Sequence, residues 1–69
     1  MKRYPVKSCN IKSVGYDEIK KTLEIEFKLL AIHHYFDVTI DEFVLLMKAP
    51  NIESHYLDYV YSKYYFDVS

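Results

Sequence analysis

The chain has 69 residues, with nine Lys plus Arg against ten Asp plus Glu for a formal charge of −1, eight Tyr, four Phe, one Cys and one Gly. That length accommodates a single domain, residues 1–69, and the aromatic content excludes a disordered chain. The near-neutral charge argues against a dedicated nucleic-acid binder, whose domain pI usually exceeds about 9.

Cys9 alone cannot form an intrachain disulfide or a four-cysteine zinc site. The longest apolar run, Phe43 to Met47, is far below the roughly 18 residues of a membrane span. The basic amino end is not followed by the apolar core of a signal peptide. A cytoplasmic, reducing setting without a membrane partner is therefore expected. Charge is unevenly placed. Lys2, Arg3, Lys7 and Lys12 open the chain, whereas Asp37, Asp41, Glu42, Glu53, Asp58 and Asp67 face only Lys48 and Lys63 later on.

In chain order, Val6 to Tyr16 reads as an irregular first strand, with Val6, Ile11, Val14 and Tyr16 suited to burial. Asp17 to Lys21 is a charged connection. Thr22 to Lys28 alternates strictly, with Leu23, Ile25 and Phe27 on one face and Glu24 and Glu26 on the other, the signature of a strand with one wet face. Ala31 to Val38 is its hairpin partner, although Leu29 and Leu30 occupy a turn where glycine would supply positive φ cheaply.

Thr39 and Glu42 have capping-box spacing ahead of Ile40, Phe43, Val44 and Met47, an amphipathic helix that Pro50 ends near Lys48-Ala49. Asn51 then caps a second helix, about 52–65, with Leu57, Val60, Tyr61 and Tyr64 on its inward face and Tyr56 at its edge. The expected fold class is α+β: an antiparallel three-stranded β-meander followed by two α-helices packed on the sheet. Its core is expected at Leu23, Ile25, Phe27, Phe43, Val44, Met47, Leu57, Val60 and Tyr64.

The ordered set Val6-x-Ser8-Cys9-x-Ile11-x-x-Val14-Gly15-Tyr16-Asp17, a hairpin, Tyr35-Phe36-Asp37-Val38, Ala49-Pro50-Asn51 and an aromatic helix to Tyr64 resembles the KTSC domain over about residues 6–64. That small module is named for the carboxyl terminus of some lysyl-tRNA synthetases and also occurs alone. The resemblance implies an RNA-binding accessory role as one expectation. The chain departs from the family pattern at several positions. His33 stands where the first tyrosine of a Tyr-x-Tyr motif is expected, and Ser8-Cys9 where paired serines are. Leu29-Leu30 replace a hairpin glycine. Glu53, Leu57 and Tyr61 replace glycine, asparagine and arginine. The last two changes remove polar groups suited to touch a ligand.

Neither a metal centre nor an enzyme is indicated. His33 and His34 are adjacent, so on a strand they point to opposite faces, and neither they, His55 nor Cys9 sit at a metal-ligand spacing. No marked group orients a nucleophile, and so small a chain leaves little room for a ligand pocket of about 300 Å³. No cofactor is expected. The surplus of tyrosine is the feature that points to binding. It suits a protein interface or the stacking of unpaired bases, but Glu24 and Glu26 on the wet face would repel phosphate. The expectation is a small non-catalytic binding or adaptor module acting through protein–protein contacts, with RNA binding as the alternative. The surface residues put forward are His33, Tyr35, Leu29, Leu30 and Tyr59. The partner is another protein or a second copy in a homodimer covering the leucines.

Overall fold

Leu23, Ile25 and Phe27 alternate along a central strand, and the computed structural model, which describes residues 2–29 and 31–68, builds the sheet outward from it. The strands are β1 (Arg3–Pro5), β2 (Ile11–Asp17), β3 (Thr22–Phe27), β4 (Ile32–Tyr35) and β5 (Phe66–Val68), and the helices are α1 (Ile40–Lys48) and α2 (Ile52–His55). From α2 the chain continues into a π-helical stretch, Tyr56–Tyr61.

All five strands form one antiparallel sheet in the order β1-β2-β3-β4-β5. This corrects the expected three-stranded meander, although α+β holds. The two additional strands are three residues each, too short to show a period, and both lie on sheet edges. Pro5 fits there because an edge strand can spare a backbone donor.

The irregularity of β2 has a cause. Ile11 pairs with Phe27 but Ser13 pairs with Glu26, so Lys12 is an extra residue in a β-bulge. The bulge breaks the period of two. Ile11 thereby joins Val14 and Tyr16 on the core side, while Ser13 and Gly15 face away. Turns are made almost without glycine. The Asp17 carboxylate accepts from the backbone N–H groups of Ile19 and Lys20 at 3.0 and 3.2 Å, and Lys21 and Asp37 take positive φ of 52° and 58°.

Thr39 caps α1 by accepting from the Glu42 N–H at 3.3 Å, and Asn51 caps α2 by accepting from the Ser54 N–H at 3.1 Å. Both helices lie against one sheet face. Their inward residues match the expected ones in part, at Phe43, Met47, Val60 and Tyr64. On α1, Leu46 is fully buried with Phe43 and Met47 beside it, whereas Val44 is 38% exposed. Beyond Asn51 the buried residues are Ile52, Tyr56 and Val60, spaced by four, with Tyr64 partly buried; Leu57 and Tyr61 turn outward. The π-helical stretch, with its wider turn, keeps that four-residue stripe on the sheet.

The core is Ile11, Val14, Leu23, Ile25, Tyr35, Val38, Leu46, Ile52, Tyr56 and Val60. Phe27, Phe43, Met47 and Tyr64, expected inside, are partly buried against it.

A candidate binding cleft beside the hairpin tip

The hairpin between β3 and β4 is closed by the Phe27 N–H donating to the Ala31 carbonyl at 2.8 Å, and the Lys28 N–H donates to the Asn10 carbonyl at 2.8 Å. Those bonds hold the hairpin end beside the start of β2. The π-helical stretch passes above it. Between them opens a cleft of about 400 Å³, larger than the chain length led one to expect. Phe27, Leu29, Ala31 and Leu57 supply apolar wall, His33 and Tyr56 the aromatic floor, and Asn10, Lys28 and Glu53 the polar rim. Leu29 is 92% exposed and Leu57 51% exposed.

The floor is fixed by a short polar chain. His33 Nδ1 is bonded to the Tyr35 hydroxyl at 3.2 Å, and that hydroxyl is bonded to the hydroxyl of Tyr56. Burial pushes the Tyr35 phenol well above its ordinary pKa, and the bond to Tyr56 adds to the rise. Burial also raises Tyr56. The same desolvation, with the neighbouring His34, holds His33 below its ordinary 6.5. The His33 ring stacks on Phe66 with centroids 4.9 Å apart and makes an edge-to-face contact with Phe27 at 4.7 Å.

Glu53 is the least foreseeable part of the site. Its Oε1 accepts from Ser8 Oγ and from the Asn10 N–H at 3.0 Å, and its Oε2 accepts from Asn10 Nδ2 at 2.9 Å. These bonds hold its carboxyl below the usual carboxylate range. They join residues 43 and 45 positions apart, a relation that no local sequence signal carries.

The residues put forward from the sequence separate into distinct groups. His33 and Leu29 meet in the cleft. Tyr35 is fully buried beneath it, on the face covered by helices, and presents no ring to a ligand. Tyr59 is exposed and packs on His55 at 4.6 Å, apart from the cleft lining. Leu30 lies outside the described residues. Among the described residues no group of three or more His, Cys, Asp or Glu is placed to hold a metal ion.

The opposite sheet face is polar. Arg3 is paired through the strands with Gly15, and Gly15 with Glu24. The Arg3 guanidinium crosses the glycine to bond Glu24, and Ser13 Oγ donates to Glu26 at 2.7 Å. His34 lies 3.5 Å from Glu24. Gly15 is needed here because any Cβ would stand in the path of the guanidinium.

This fold and sequence match a known family. The family model of the KTSC domain fits residues 7–64. The chain belongs to the KTSC domain family. It is 32% identical over 56 residues to an uncharacterized protein of Stutzerimonas stutzeri (strain A1501), a match covering 81% of this chain and 79% of that one. It is also similar to the crystal structure of a KTSC domain protein from Yersinia pestis, with a TM-score of 0.91 and 27% identity, covering 96% of this chain and 93% of that one. Leu29, His33, Glu53 and Leu57 all line the cleft.

Proposed function

We propose that this domain is a non-catalytic protein-binding module that receives a partner's side chain in the cleft beside the β3–β4 hairpin. The observation that carries this reading is Leu29, almost wholly exposed at the mouth of a cleft walled by Phe27, Ala31 and Leu57. Scattered exposed apolar residues are ordinary; these are joined to one concave surface, which is the shape that anchors a partner residue. A cytoplasmic setting accords with the free, exposed thiol of Cys9, and no described helix is long and apolar enough to cross a membrane.

RNA binding is the second reading and has less support. Tyr35 is buried, and Arg3 is engaged by Glu24. The strand residues facing away from the helices include Glu24 and Glu26 and, among the described residues, no tyrosine or phenylalanine.

Peptides selected from a displayed random library on the wild-type domain test the proposal. Their affinity should fall at least about tenfold on a Leu29→Ser, Leu57→Ser variant, the loss expected for an anchoring contact. Equal affinity for both proteins contradicts it. Sedimentation velocity of the wild type alone separates a second copy of the chain from a different protein as the partner.

A further inference from the structure

The cleft combines an apolar wall with one carboxylate, and that carboxylate is held in place. Ionised, a carboxylate offers about four acceptor positions. Glu53 uses three of them, two on Oε1 for Ser8 and Asn10 and one on Oε2 for Asn10. One acceptor position on Oε2 is left. The same bonds favour the charged form, so the group is anionic at neutral pH. Glu53 takes part in none of the ion pairs among the described residues, which join Arg3, Lys63 and His34 to other acids. Lys28, whose charge also favours the ionised form, sits on the rim of the same cleft.

We infer that the side chain received by the cleft is a cation on an apolar stem, a lysine or arginine of the partner peptide. The stem lies against Phe27, Ala31 and Leu57 and the charged tip meets Glu53. A long basic side chain is built this way, burying its methylenes while its head finds a charge. The partly buried Phe27 ring in the lining adds an aromatic surface that attracts a cation, and the neutral His33 does not oppose it. The single open acceptor suits the point charge of an ammonium better than the two-pronged guanidinium. Glu53 also ties the β1–β2 loop to α2, and the inference adds a ligand to that structural role. It rests on the proposed function, since it names the chemistry of the side chain bound there.

The test is an amide chemical-shift titration of the intact domain with capped tripeptides Gly-Xaa-Gly, where Xaa is lysine, arginine, norleucine or glutamate, and with n-pentylamine. Lysine should shift Leu29, Ala31 and Leu57 and bind at least about tenfold more tightly than norleucine, which has the stem without the charge. Lysine should also exceed arginine, glutamate and free n-pentylamine. Glu53→Gln should bring lysine down to norleucine, and Lys28→Ala, which removes a competing cation, should strengthen lysine severalfold. Norleucine equal to lysine on the wild type overturns the inference while leaving an apolar cleft intact, and it needs no variant to fold. n-Pentylamine equal to the lysine peptide overturns a peptide as the source. If no tripeptide or amine moves the cleft resonances, the inference and the protein-binding reading fall together.

Discussion

The hydroxyl groups of Tyr35, on β4, and Tyr56, at the start of the π-helical stretch, are bonded to each other in the buried core, with His33 at the cleft floor completing the chain. Their rings stand nearly perpendicular, with centroids 5.8 Å apart. The pair therefore ties the sheet to the helical layer by polar contact inside an apolar core.

Removing one hydroxyl leaves the other buried with a partner missing. Tyr35→Phe and Tyr56→Phe should each destabilise by about 1–3 kcal/mol, and the double variant by less than their sum. Urea unfolding of the four proteins checks this. Additive losses would mean that the hydroxyls are satisfied independently.

His33 makes stability depend on pH. Its folded pKa lies below the ordinary 6.5, so the fold favours the neutral ring. That contribution is complete above the unfolded value and is lost as pH falls through the folded value. Between pH 7.5 and pH 5, the melting temperature of the wild type should fall more than that of His33→Phe, which keeps a ring against Phe66. Glu26 and Glu53 are held below 4.5 by hydrogen bonds from Ser13 and from Ser8 and Asn10. Their contributions are therefore lost only in more acidic solution. Parallel melting curves across the higher window would remove His33 as the cause.

The inward face of α1 can be read by truncation. Leu46→Ala should cost about 2–5 kcal/mol, because a fully buried leucine leaves a cavity. Val44→Ala should cost on the order of 0.5 kcal/mol. Chemical denaturation ranks the two, and the reverse order would mean that the helix is rotated.

Leu46 and Val44 also show where sequence reading reaches its limit. The alternation of Thr22 to Lys28, the capping residues Thr39 and Asn51, and the helix stop before Pro50 are local and were legible, as was the family. The rotation of α1 was not, since Ile40, Val44 and Leu45 are as apolar as the residues that turn inward. The second helix misled for another reason. Leu57 and Tyr61 fit an ordinary helical period, but the π-helical stretch instead buries Tyr56 and Val60, in line with Ile52 of α2. β1 and β5 gain their identity only from the strands beside them. In the cleft, Leu29 and His33 were visible as unusual residues, but Glu53 needed the tertiary approach of Ser8 and Asn10.

Gly15 offers a test of the polar face. Gly15→Val improves strand propensity yet places a side chain between Arg3 and Glu24. It should destabilise by about 1–3 kcal/mol through crowding, and by clearly less in an Arg3→Ala background, where nothing crosses the position. Thermal melts of both pairs measure the coupling, and an undiminished loss would show that Gly15 serves some other contact.

The most direct test of the cleft as the working surface is a map of amide shifts in the wild-type domain, titrated separately with its selected peptides and with a single-stranded RNA pool. Peptide shifts should centre on Leu29, Ala31, Glu53 and Leu57, and RNA at moderate salt should produce none. Shifts centred on Arg3, Glu24 and His34, or a salt-sensitive response to RNA with no response to peptide, would contradict it.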